Sequence, residues 1–169
     1  MRTEICADGE LVGAARNAVE SLSALVFVED DGLEWSEIDW HVLAWEGETL
    51  VSHVEIINRM ATVGGVSLRL GGIGGVATHP EWRGRGLATL ALRLAEVWLR
   101  ELLLADFGLL ICSQARRPFY ERLGWRVVDG PLVFDQPTGK VTFGDVTMVL
   151  PCLRSEWPTG TIDLRGLPW

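Results

Sequence analysis

The stretch from Gly71 to Leu104, GGIGGVATHPEWRGRGLATLALRLAEVWLRELLL, constrains the fold more than any other part of the chain. Its first part, Ile73 to Thr78, is an apolar run bounded by glycine and stopped by Pro80, the pattern of a strand. A loop with two arginines and two glycines follows. From Leu87 the period becomes helical. Leu87, Leu90, Ala91, Leu94 and Trp98 fall on one face, and Arg93, Glu96 and Arg100 share the other. A strand that enters an amphipathic helix through a basic glycine turn makes an anion cradle, because the first N–H groups of a helix lack internal partners and carry the positive end of its dipole. The turn is too short for GxxxxGK[ST] and lacks the GxGxxG spacing of dinucleotide folds.

The remaining elements follow in order. Thr3 to Ala7 reads as a short strand and Leu11 to Val28 as a helix with Leu11, Ala15, Ala18, Val19, Leu22, Leu25 and Val26 on its apolar face. Composition then shifts to Glu29, Asp30, Asp31, Glu34, Glu37 and Asp39, interleaved with Trp35 and Trp40, a surface able to hold a polyamine by charge and by stacking. His41 to Trp45 and Leu50 to Ile57 form a hairpin across Glu46-Gly47-Glu48, and alternation puts His53, Glu55 and Ile57 on one side of it. Val66 to Leu70 begins the strand that resumes at Ile73. Its glycines predict a bulge or the close approach of another backbone. Gly108 to Cys112 is a buried parallel strand, Arg117 to Trp125 a short helix leading into another strand, and Val127, Val128, Leu132 to Phe134 and Val146 to Leu150 supply the rest. The tail from Arg154 carries Trp157 and ends on Trp169, which in an ordered tail brings an α-carboxylate into the structure.

With 169 residues, nearly half of them apolar, and no repeat or low-complexity segment, the chain predicts one domain over 1–169. The first twenty residues lack a secretory pattern, and no apolar run reaches membrane-spanning length. Cys6, Cys112 and Cys152 are an unpaired set without CxxC spacing, read as reduced thiols of a cytoplasmic protein, with no metal site expected. A formal charge of -8 argues against nucleic acid and favours cationic ligands.

Arg83-Gly84-Arg85-Gly86-Leu87-Ala88 resembles the (Gln/Arg)-x-x-Gly-x-(Gly/Ala) pyrophosphate loop of the GNAT superfamily of acyl-coenzyme A-dependent N-acyltransferases. Tyr120 to Trp125 resembles its second motif, a Tyr on a short helix before a Leu-Gly-aromatic exit. The resemblance implies an α/β (α+β) GNAT fold: a mixed central sheet of six to seven strands with splayed central strands, flanked by about four helices. It also implies acetyl-CoA as cosubstrate, with phosphates on Arg83, Gly84, Arg85, Gly86, Leu87 and Ala88, and the acyl-pantetheine paired with main-chain groups of Val76 and Thr78. Asp39-Trp40, the strand Ser52 to Arg59 and the tail Asp163-Leu164-Arg165-Gly166-Leu167-Pro168-Trp169 are similar to the aminoglycoside 2′-N-acetyltransferase branch. Ser155 to Thr161 is instead similar to the nodulation N-acyltransferase, which acylates an amino sugar. Relatives of the first branch carry a Glu on the central strand where this chain has Gly74, which leaves the general base open.

The implied activity is an N-acetyltransferase acting on an aminoglycoside or related amino sugar, of the antibiotic-resistance type, by direct transfer through a tetrahedral intermediate. Glu55 and the Trp169 carboxylate are the candidate bases, the Val76 N–H the oxyanion donor and Tyr120 the acid for the thiolate. Asp31, Glu34, Trp35, Glu37, Asp39, Trp40, Asp163 and Trp169 are expected around a cationic small-molecule amine. Alternatives are polyamine or protein N-acetylation, nodulation-type acylation, a non-catalytic acyl-CoA-binding protein, and a homodimer seam made by exposed tryptophans. A covalent route through Cys112 is disfavoured, because a thiol in an apolar strand is inert.

Overall fold

The computed structural model describes residues 1–27 and 32–169, so Asp31 and its acidic neighbours Glu29 and Asp30 lie outside the described residues. Strand β1 (Arg2–Ala7) passes through a 3-10 turn (Asp8–Glu10) into α1 (Gly13–Val26). Then come β2 (Trp40–Glu46), β3 (Thr49–Val63) and β4 (Val66–Thr78). A 3-10 turn at Pro80–Trp82 leads into α2 (Leu87–Glu101), which is followed by β5 (Phe107–Cys112), α3 (Arg117–Glu121) and β6 (Arg126–Val127). The chain continues through β7 (Leu132–Gln136), β8 (Gly139–Phe143), β9 (Val146–Pro151) and β10 (Ile162–Asp163). The architecture is the mixed α+β sheet the glycine turn suggested, but it carries ten strands among the described residues, above the six to seven expected, and three α-helices.

The extra strands have local causes. Gly64 and Gly65, with φ of 54° and 85°, close a tight hairpin that pairs Val63 with Val66, so β3 and β4 run far beyond Ile57 and without interruption. Pro137-Thr138 closes β7 onto β8, pairing Gln136 with Gly139. β10 is only two residues long, too short for any pattern to announce, yet it bridges β3 and β7.

The glycine run of β4 is explained side chain by side chain. A Cβ on Gly71 would collide with Leu99 of α2 on one face of the sheet, and a Cβ on Gly72 with the Trp169 indole on the other. One on Gly75 would fall 2.5 and 2.6 Å from the two carboxylate oxygens of Glu55. Each glycine therefore admits a partner that a larger residue would exclude. Leu92 and Leu99, fully buried, anchor α2 on this sheet, each worth about 1.5–3 kcal/mol of apolar burial. Glu96 corrects the expected polar face: it is 2% exposed, because the Trp125 indole and the Arg93 guanidinium donate to it at 3.2 and 2.6 Å. A buried carboxylate with a guanidinium and an indole N–H donating to it is tolerated where a bare one is not.

Candidate active site

Two irregularities of β4 open the site. It pairs in parallel with β5 only from Leu70 to Gly72, opposite Phe107 to Leu109, after which the two strands diverge. On its other edge the register with β3 slips between His53 and Glu55, so that Val54 faces both Gly75 and Val76, a bulge that Gly75 permits at a φ of 52°. The expectation of a Gly-driven bulge thus holds. Into the resulting gap opens a cavity of about 1000 Å³.

One end of the cavity is lined by Val76, Thr78, Arg83, Gly84, Gly86, Leu87 and Ala88. Gly84 and Gly86 have φ of 74° and 76°, and open space lies where a Cβ would point, so main chain is bared to the cavity. The Leu90 N–H is bonded to the Gly86 carbonyl, which leaves the amides of Leu87, Ala88 and Thr89 ahead of the helical ladder. Arg83 is tethered by its Nε to the Thr78 carbonyl at 3.3 Å. These groups fit a coenzyme A diphosphate: bared amides at a helix start, one guanidinium, and a trough that runs on beside the unpaired edge of β4. Arg85 is turned elsewhere; its guanidinium lies 4.5 Å above the Trp82 ring and outside the cavity lining.

Tyr120, on α3, lines the cavity from the β5 side while 8% exposed, edge-on to Phe119 and Trp125. Burial pushes its hydroxyl up to about 12, with Cys112 adding to the rise, so it stays a phenol with a proton to give. Cys112 is held up to about 11 by burial, with Asp145 second, and carries no thiolate at neutral pH.

At the other end the lining comes from distant segments: Phe27 of the α1 exit, Trp35 and Ile38 of the following loop, Glu55 and Ile57 of β3, and Trp169. Glu55 is paired across the strands with Gly74, the position where the sequence resemblance leads one to expect a carboxylate, and leans over Gly75. Burial raises it to about 7, with the charge of Asp8 the lesser cause. Trp169 lies on Gly72, donates its Nε1–H to the Leu109 carbonyl at 3.2 Å, and sits under the Arg59 guanidinium. Arg59 binds the Leu167 carbonyl and donates to Ser36 Oγ at 2.7 Å, while the Ser36 N–H donates to the Pro168 carbonyl at 2.8 Å. The loop bearing Trp35 is thereby fastened to the tail.

Several expected acceptor residues lie elsewhere. Asp39 accepts from the Asn58 N–H at 2.7 Å, Trp40 packs 6.2 Å from Trp98, and Asp163 pairs with Lys140 at 2.9 Å. These three, with Glu34 and Glu37, are outside the cavity lining. Residues that sequence reasoning passed over include Gly75 as the seat of Glu55, and Trp82, Arg116 and Phe119 in the lining. Of these only Gly75 carried a signal, through the doubled glycines of GGIGG. Among the described residues no cluster of three or more His, Cys, Asp or Glu gathers as a metal site, and no helix is long and apolar enough to cross a membrane.

A mixed sheet split between two central strands, with a glycine cradle at the helix that follows, defines an acyltransferase fold. The acetyltransferase (GNAT) domain model matches residues 17–128, and the chain belongs to that family. The chain is 28% identical over 134 residues to the aminoglycoside 2′-N-acetyltransferase of Mycolicibacterium fortuitum, an alignment covering 75% of this chain and 63% of that protein. The aligned chain therefore spans less than two thirds of this curated relative's length. Its fold is similar to a GNAT family N-acetyltransferase (YhbS) from Escherichia coli in complex with CoA, with a TM-score of 0.69 at 18% identity over 99% of this chain and 96% of that one. It is also similar to a GNAT family acetyltransferase from Brucella melitensis in complex with acetyl-CoA, with a TM-score of 0.63 at 14% identity over 95% and 94% of the two chains.

Proposed function

We propose that residues 1–169 act as one cytoplasmic acyltransferase domain that moves an acetyl group from acetyl-CoA to the amine of a cationic small molecule, an aminoglycoside or related amino sugar. The observation that carries this reading is a single cavity joining the glycine cradle to a raised carboxyl and a buried phenol on its two sides. The aminoglycoside 2′-N-acetyltransferase relative supports the choice of acceptor.

Acetyl-CoA supplies an activated thioester. Everything else is the work of this chain. Arg83 and the bared amides from Gly84 to Ala88 bind the diphosphate. The Val76 N–H, freed from register by the bulge, donates to the acetyl oxygen as it becomes negative, an effect worth about 3 kcal/mol in comparable sites. Sugar amines are largely protonated at neutral pH, so a base is needed before attack. Glu55, held near 7, is matched to that task, either directly or through one water. Tyr120 gives its proton to the departing sulfur. Trp35, Ile57 and Trp169 present flat or apolar walls to the acceptor's ring faces.

Release of coenzyme A, followed with a thiol reagent across aminoglycosides, amino sugars, polyamines and simple amines, tests the proposal. An aminoglycoside or amino sugar should give the highest kcat/KM, with NMR locating the acetyl group on one amine. Turnover confined to peptides would refute the acceptor assignment. Absence of calorimetric heat with acetyl-CoA would refute the transferase reading itself.

A further inference from the structure

Beyond Glu55 and Ile57, β3 presents one more side chain on the same face. Alternation along the strand puts Arg59 there, about 7 Å past Ile57. It is half-buried and stands outside the cavity lining. Its guanidinium meets segments that are far apart in sequence. Nη2–H donates to Ser36 Oγ at 2.7 Å, in the loop that follows α1, and Nη1–H donates to the Leu167 carbonyl in the tail. Cζ lies over the Trp169 ring, 5.3 Å from its centre. A Cβ on Gly166 would stand 3.0 Å from both Cζ and Nη1, so glycine at that position leaves the guanidinium its room.

Burial lowers the Arg59 pKa from its ordinary value, and the charges of Asp39 and Asp135 work against that fall, so the side chain stays cationic. Taking a cation out of water is unfavourable unless its donors find acceptors. Arg59 meets that condition with two hydrogen bonds in different directions and a stacked indole, a combination that a planar fork can make and an ammonium cannot. The partners it joins adjoin the acceptor chamber. Ser36 follows Trp35, and Leu167 precedes Trp169 by two residues; both indoles line the cavity. Trp35 is 46% exposed, so burial does little to hold it, and its place depends on how firmly Ser36 is fixed.

We propose that Arg59 is the positioning residue of the acceptor end: by pinning Ser36 and the tail to each other it fixes Trp35 and Trp169 as walls for the acceptor, without touching the acceptor itself. This deepens the reading above and rests on the acceptor occupying that end of the cavity. Without the guanidinium, the loop has to be ordered by the acceptor as it binds, and that ordering cost falls on acceptor affinity. The cradle, the Val76 N–H and Tyr120 lie on other segments, so coenzyme binding and the chemical step are spared.

Arg59→Met keeps the apolar stem and removes the donors. With kanamycin or glucosamine as acceptor, whichever the parent turns over faster, it should raise the acceptor KM about tenfold while kcat and KM for acetyl-CoA hold. Arg59→Lys should recover only part of the loss. Gly166→Ala, which keeps Arg59 but fills the space of its guanidinium, should also raise the acceptor KM, and serves where Arg59→Met fails to fold. Adding Ser36→Ala to Arg59→Met should raise it no further, since both changes break one unit. Hydrogen exchange reads the same contact without turnover: the Ser36 amide, bonded to the Pro168 carbonyl, should exchange about tenfold faster in Arg59→Met, with amides of α2 unchanged. A parental acceptor KM in both Arg59→Met and Gly166→Ala would overturn the proposal, and so would a joint rise of both KM values. If the parent acetylates no amine, the transferase reading falls by itself. Unchanged Ser36 exchange would overturn the role of Arg59 whatever the substrate.

Discussion

The two ends of the cavity are built in opposite ways. The cradle end is contiguous: Val76 to Ala88 follow one another along a strand, a turn and a helix start, so local sequence determines local shape. The acceptor end is assembled by topology, from the exit of α1, a loop, the middle of β3 and the end of the tail. A contiguous site is held by backbone conformation and yields to substitutions of single glycines. A gathered site is held by packing between distant segments, and it fails when any one of them lets go.

Substitutions that separate the two ends sharpen this contrast, and the largest effect belongs to Glu55. Glu55→Gln should lower kcat by about 10²–10³ and abolish the rise of kcat with pH through about 7 that is expected of the parent. The same change should stabilise the fold at high pH. A carboxyl whose folded value is raised from 4.5 to about 7 costs nothing below 4.5 and destabilises progressively up to about 7, by roughly 3 kcal/mol at the top. Melting curves at pH 8 should therefore favour Glu55→Gln, and curves at pH 4 should coincide. Equal melting at both values would show that the carboxyl is not desolvated.

Tyr120→Phe comes next, with kcat lowered about tenfold or more and acetyl-CoA affinity retained by calorimetry. An unchanged kcat removes the phenol from the acid role. Trp169→Ala tests the gathered end: loss of the buried indole should cost about 3–5 kcal/mol in urea unfolding and raise KM for the acceptor, with KM for acetyl-CoA held. If both KM values rise together, the two ends are not separable. Gly86→Ala gives the smallest effect, about 1 kcal/mol of strain at a φ of 76°, and should weaken acetyl-CoA binding while leaving the pH profile untouched.

The same contrast explains what could be read in advance. The hairpin at Gly47, the helix from Leu87, the buried strand before Cys112 and the short helix of Tyr120 follow from periodicity and turn residues, and the structure contains them all. Glu96 departs from the expected polar face because Trp125, on the far side of β5 and α3 in sequence, closes over it; Arg93, one turn back on the same helix, is the partner the helical face does announce. Asp39 and Asp163 look like cation binders in sequence, yet their carboxylates are taken by Asn58 and Lys140, partners far away along the chain. Both candidate carboxylates come to Gly74, the Trp169 carboxyl carbon 3.2 Å and a Glu55 oxygen 3.5 Å from where its Cβ would stand, a meeting that only the register of β3 on β4 and the path of the tail reveal. Local rules describe what neighbours in sequence do, and the acceptor end has few such neighbours.

The two-residue strand β10 joins β7 and β8 to the rest of the sheet, since the spatial order runs β3, β10, β7, β8. A junction that narrow leaves the outer ribbon hanging on two residues. Opening of Ile162 and Asp163 should therefore expose the amides of the β7–β8 ribbon together, and hydrogen exchange there should report that single event.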